Sequence, residues 1–411
     1  MGKRVVITGI GIVSPIGIGK KEFWQNLFAG QSGFRKITLF GTNDLKVKTA
    51  GEIADFNAKN ILGKKGLVDL DRATTLLLSA TKFALEDANF EINEKNACKT
   101  GMSVGTTFGS LNSVFEFDKA SLIEGPKFVN PSRFPNTVIN SPASRAAIRF
   151  GIKGFSTTIS TGFCAAIDAF DYAIHSMNFN RADKIIVAAV EEMCIQTFLG
   201  FYKLGYLSGL NNDMGPRSCP FDKRRDGIIF SEASTAVIVE DLTSALERKA
   251  NIYGEVLAIA SNFSPYRLHK YDPRGTGITE IMKRALEKAN LRPQDIDCIF
   301  ANANSTCDAD LLETKCIKEA FGDFANKIPI TAIKSAVGET FSASGGVAVV
   351  AALGSMKHGI IPPTLNYREK DSCCDLDYVP DKARKQKLNR VMINSFGPNG
   401  ANTVLVLGKV N

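Results

Sequence analysis

The feature that most restricts how this chain folds is an alternation of short β-branched or apolar runs with longer helical stretches, unbroken by any linker. Strand-like runs fall at 4–8, 101–105, 157–161, 184–190, 235–240, 298–302, 328–333, 390–394 and 403–408. Apolar residues recur at helical spacing over 20–29, 72–89, 163–178, 276–290, 309–321 and 343–357. This alternation predicts an α/β architecture with largely parallel strand pairing. At 411 residues the chain is longer than a single core usually supports. A repeated plan accounts for the length. Strand 157–161 leads through Gly162 into a helix rich in small residues, and strand 328–333 leads through Lys334-Ser335-Ala336-Val337-Gly338 into another. We therefore expect a duplicated α/β unit, with halves at 1–250 and 251–411.

Bulk properties narrow the function. No apolar stretch of about 18 residues is present, so no membrane span is expected. The opening Met1-Gly2-Lys3-Arg4-Val5-Val6-Ile7 runs straight into a strand and lacks a signal peptide's apolar region, which predicts a cytoplasmic protein. Nine cysteines without a Cys-x-x-Cys pair, and three histidines, predict neither a disulfide scaffold nor a metal site, and no cofactor motif is present. The formal charge of +8 suits an acidic partner. No basic block interleaved with aromatics points to nucleic acid.

The segment Ser160-Thr161-Gly162-Phe163-Cys164-Ala165-Ala166 is where chemistry is expected. It joins a β-branched strand to a helix whose apolar residues are Ile167, Phe170, Ile174 and Met177. A thiol at such a helix start faces free backbone N–H groups and the positive end of the helix dipole, both of which favour the thiolate. Two side chains compete for the position, the phenyl ring of Phe163 and the thiol of Cys164. Free cysteine also packs as a small hydrophobe, so Cys164 has a purely structural reading as well.

Four further segments, in order, give the chain a family resemblance. They are Val5-Val6-Ile7-Thr8-Gly9-Ile10-Gly11-Ile12-Val13-Ser14-Pro15; Cys219-Pro220-Phe221-Asp222-Lys223-Arg224-Arg225-Asp226-Gly227 with Glu232; Ile333-Lys334-Ser335-Ala336-Val337-Gly338-Glu339 with Ser344-Gly345-Gly346; and Asn394-Ser395-Phe396-Gly397 with Gly400 and Asn402. Together they resemble the elongating β-ketoacyl-ACP synthases, over nearly the whole chain. The resemblance implies the five-layered αβαβα thiolase fold and a dimer. It implies a cysteine that takes an acyl chain from an acyl carrier protein, two histidines that support decarboxylation of a malonyl group, and a lysine in the charge network. A thiolate is the nucleophile such acyl transfer needs, and neutral N–H donors belong where oxyanion charge develops.

Aligned with that family, this chain departs at most reactive positions. Phe163 falls on the nucleophile and Cys164 one residue later, about 100° further round the helix. Asn304, in Asn302-Ala303-Asn304-Ser305-Thr306, falls on the first histidine; its amide donates a hydrogen bond but exchanges no proton. Glu339 falls on the second histidine, where an ionised carboxylate would repel malonyl and enolate alike, and burial would favour its protonated form. Lys334 is kept, with Glu339 or Asp310 as the expected partner. Pro398 and Asn399, after Gly397, replace the family's gating phenylalanine and a glycine. His175, His269 and His358 lie outside these motifs.

Three functions follow. The first is a non-condensing, chain-length-factor-like partner of an active β-ketoacyl-ACP synthase in fatty-acid or polyketide synthesis, as a heterodimer. The second is a divergent 3-oxoacyl-ACP synthase or acyltransferase using Cys164, as a homodimer. The third is an acyl-binding or scaffold protein without catalysis.

Overall fold

The computed structural model describes residues 2–410. Ten strands run in line through an eleven-stranded mixed sheet, the short strand Gly17–Ile18 pairing off the first of them: β1 Val5–Ser14, β2 Thr100–Gly105, β3 Ser156–Ile159, β4 Lys184–Glu191, β5 Ala233–Asp241, β6 Gly254–Phe263, β7 Cys298–Phe300, β8 Ile330–Thr331, β9 Arg390–Phe396 and β10 Ala401–Gly408. Their spatial order is β8-β7-β9-β10-β6-β1-β5-β4-β2-β3. Outward from the centre, β1, β5, β4, β2 and β3 pair antiparallel, antiparallel, parallel and parallel. From β6 outward, β10, β9, β7 and β8 repeat that pattern. The central β1–β6 pairing is antiparallel too, so five of the nine pairings along this order are antiparallel, which corrects the expectation of a largely parallel sheet. The two sets meet where Val5, Val6 and Ile7 pair with Val256, Glu255 and Gly254.

Alternate residues of each long strand enter different cores. Ile185, Val187 and Ala189 of β4 face the central core with Val391, Ile393, Leu405 and Leu407. Between them lie the helices Ala165–Asn178 and Ser344–His358, through Ile167, Phe170, Val347 and Leu353. Ile186, Ala188 and Val190 face the other way, onto Leu76, Leu77 and Ala80 of the helix Arg72–Asp87. On the opposite side Met392, Val404 and Val406 meet Ile278, Ile281, Leu312 and Ile317 of the helices Thr276–Lys288 and Cys307–Phe321. The result is helix, sheet, helix, sheet, helix. Strands buried on both faces read as unbroken apolar runs, which is how Ile185-Ile186-Val187-Ala188-Ala189-Val190 of β4 is written.

Some elements carry no clear periodic signal in the sequence. They include β6 and the helices Leu111–Glu124, Ser141–Phe150 and Ile195–Lys203. The run 328–333 contains only two strand residues before a helical turn at Lys334–Val337. The two ends of the sheet differ. At β8, Ile330 N donates to the Asp377 carbonyl and Ala332 N to Thr364 Oγ1, so a loop covers that edge. At β3 no further strand pairs among the described residues. No helix among them is long and apolar enough to cross a membrane.

Candidate functional site

After β3, Gly162 turns the chain at φ 69° and a single 3-10 turn, Gly162–Cys164, feeds the helix Ala165–Asn178. The Phe163 ring lies in an aromatic cluster, 5.4 Å from the ring of Phe341, and a Cβ on Gly397 would approach it to 3.4 Å. Phe341 is the hub of that cluster. Its ring centre is 4.6 Å from Phe201, 4.9 Å from Phe230 and 6.0 Å from Phe108. Its backbone holds φ 48°, a left-handed value that costs a bulky residue energy and is sustained by the surrounding packing.

Cys164 is fully buried. Its thiol donates toward the carbonyls of Ser395 at 3.1 Å and Ala401 at 3.3 Å. The sulfur is therefore directed at the β9–β10 hairpin, while Phe163 faces the phenylalanine cluster. Burial, and next the Asp168 carboxylate one helical turn on, push this thiol up to about 12. Asp168 is itself raised by burial, although Thr161 and Thr403 donate to it. A helix start normally favours a thiolate; here desolvation and a neighbouring carboxylate outweigh it.

Asn304, Lys334 and Glu339 are brought into one buried network. Glu339 Oε2 accepts from Lys334 Nζ at 2.9 Å and Asn304 Nδ2 at 3.1 Å. Its Oε1 accepts from Ser344 Oγ at 2.6 Å and the Phe341 backbone N–H at 3.0 Å. Lys334 also donates to Asn302 Oδ1 at 3.2 Å. Of its two expected partners, Lys334 takes Glu339. Asp310 instead accepts the backbone N–H groups of Phe221, Asn304 and Ser305, and burial pushes it up to about 6. Pro398 is buried in the turn after Gly397, whereas Asn399 is exposed, its Oδ1 3.4 Å from the Ala401 N–H.

Two further contributors, Glu313 and Tyr271, have no clear signal in the sequence, and a third, Ser395, lies within the closing motif with no role of its own expected. Glu313 is buried, takes the N–H groups of Asn302 and Ala303 and the amide of Asn394, and is pushed up to about 7 by burial. Ser395 Oγ donates to the Phe163 carbonyl at 2.9 Å, which fixes the turn. Tyr271 lines two surface clefts of 530 and 310 Å³, and its hydroxyl is 3.5 Å from the Phe396 carbonyl. Desolvation, with Glu339 and Tyr206 near, pushes that hydroxyl well above an ordinary phenol. Among the described residues no three His, Cys, Asp or Glu side chains converge as metal ligands.

Two topologically matched halves, sandwiched helices between them and a strand–turn–helix at the buried site define a protein of the thiolase fold. Within that class the chain belongs to the β-ketoacyl synthase family: the family's N-terminal domain model matches residues 2–245 and its C-terminal domain model residues 253–368. It is 34% identical to the 3-oxoacyl-[acyl-carrier-protein] synthase 2 of Coxiella burnetii, over 99% of each chain. Among solved structures it is similar to the ishigamide ketosynthase/chain length factor, with TM-score 0.92, 29% identity and full coverage of both chains. It is also similar to a chain in the complex of a type II PKS acyl-carrier protein with its ketosynthase bound to the hexaketide, with TM-score 0.91, 27% identity and full coverage of both chains.

Proposed function

We propose that this chain is the non-condensing, chain-length-factor-like partner of an active 3-oxoacyl-ACP synthase in fatty-acid or polyketide synthesis. The observation that carries the reading is the Phe163 ring at the helix start, packed on Phe341, beside a Cys164 thiol turned toward the Ser395 and Ala401 carbonyls. Condensation needs a thiolate to receive the acyl chain and donors to hold developing oxyanion charge. Here the amide of Asn304 and the ammonium of Lys334 are both engaged by Glu339. On this reading the protein acts in the cytoplasm, its 1–250 and 251–411 halves are the duplicated units, and an acyl carrier protein brings the chains.

A partner subunit also needs a face to offer. The helix Leu111–Glu124 buries none of its residues within this chain, and Phe115, Leu122, Ile123, Phe128 and Phe134 are exposed on and after it. Such an apolar face supports association with another chain. The second reading is a homodimeric condensing enzyme that uses Cys164. The full-length similarity to a protein named as a synthase favours it.

The test is to incubate the chain with acyl and malonyl carrier protein, alone and co-expressed with an active synthase of its pathway. Alone, it should give no malonyl-dependent product and no acyl adduct on Cys164 by intact mass. Co-expressed, it should form a mixed dimer whose product length changes with Phe341→Ala. Product from the isolated chain that disappears in Cys164→Ala would establish the second reading. Failure to form any mixed dimer would remove the partner role.

A further inference from the structure

Beside Lys334 lies a small cavity with about 10 Å³ of room for the centre of a water molecule. That is about the space one water requires and too little for two. Its polar lining comprises Asn302, Lys334, Thr340, Ser344, Asn394 and Ser395. Two of these leave a hydrogen-bonding group unengaged. An ammonium has three donors, and Lys334 Nζ gives two, to Asn302 Oδ1 and Glu339 Oε2. Asn394 is 97% buried; its amide N–H donates to Glu313, and its carbonyl Oδ1 has no partner within the chain.

An orphaned buried acceptor costs roughly 1–3 kcal/mol, so such groups are nearly always satisfied, often by an ordered water. Charge decides which species suits the cavity. Glu339 is already balanced by Lys334 at 2.9 Å, and no second carboxylate lines the space. A cation would sit against an ammonium with nothing to offset it; an anion is excluded by size. A neutral molecule able both to accept and to donate matches both free groups.

We infer that this cavity is a binding site for one structural water, which accepts from Lys334 Nζ and donates to Asn394 Oδ1. The water joins two buried carboxylates into one network. Glu339 is bound by Lys334, Lys334 by the water, the water by Asn394, and Asn394 by Glu313. The proposal is independent of whether the chain condenses, because none of these steps involves an acyl group.

High-resolution crystallography of the full chain, with crystals soaked in rubidium chloride, tests it directly. The expected result is a single peak within hydrogen-bond distance of Lys334 Nζ and Asn394 Oδ1, without anomalous signal. An anomalous peak would replace the water by a monovalent cation, and an empty cavity would overturn the site. A second measurement is the infrared titration of the Glu313 carboxyl, assigned with Glu313→Gln. In Asn394→Leu the water peak should be lost and the Glu313 midpoint should move upward from about 7, since a donor to its ionised form is removed. An unmoved midpoint together with a retained water would show that Asn394 is not its partner.

Discussion

Lys334 and Glu339 stand 2.9 Å apart with side chains 7% and 1% exposed, and the carboxylate has four hydrogen bonds. A pair this deep is held by mutual neutralisation, so removing one member leaves an uncompensated buried charge. We expect Glu339→Ala to cost about 3–5 kcal/mol in urea denaturation, and a Lys334→Met/Glu339→Leu double variant to cost clearly less. Costs that simply add would mean the pair is not coupled. These residues can be picked out in the sequence because Lys334 and Glu339 keep a recognisable motif spacing and Asn304 stands in the segment Asn302-Ala303-Asn304-Ser305-Thr306. Glu313 and Tyr271 could not. Glu313 is one acid among several on an ordinary helix, and only the fold turns it toward the N–H groups of Asn302 and Ala303. Tyr271 comes from a loop without periodicity, and its relation to Glu339 depends on tertiary packing alone.

Among the elements, β1 shows what a residue pattern can conceal. Only 4–8 reads as strand, because Gly9 and Gly11 weaken the signal, yet the strand continues to Ser14. The glycines let β1 lie against the backbone of the helix Arg72–Asp87: a Cβ on Gly11 would collide with the Ala80 carbonyl, and one on Gly9 with that of Ala84. We expect Gly11→Ala to lower stability by about 1–3 kcal/mol or more, read as a lower urea midpoint with an unchanged slope, because rigid backbone cannot yield as a side chain would. A neutral result would mean that the strand and helix separate freely. The helix Leu111–Glu124 is hard to see in the sequence for another reason. Periodicity reports burial in a chain's own core, and this helix has no buried residue. Strand β6 carries Glu255, Ala258 and Asn262 among its apolar residues, which dilutes its β signal.

At the scale of the whole molecule, buried acids set the dependence of stability on pH. Burial raises Asp310 to about 6, Glu313 to about 7 and Glu192 to about 8, the last with help from Asp71. Each holds a proton in the native state that the unfolded chain, with carboxyls near 4, has released, so their contribution falls as pH rises from about 5 to 8. Burial works against Asp222 and Glu240 too, but Arg224 and Arg248 hold both below their ordinary values, and that stability is lost only as the medium becomes strongly acid. We therefore expect the melting temperature to be highest near pH 5 and to decline steadily toward pH 8. A curve that rises across this range would contradict the assignment. One last consequence belongs to β3. Its free edge offers unpaired peptide groups to any extended chain, whereas the loop over β8 denies them at the other end. Such an edge is a template for aggregation. Its supply in the cell would then follow gene dosage of whatever covers the edge, with surplus copies lost to inclusion bodies or proteolysis.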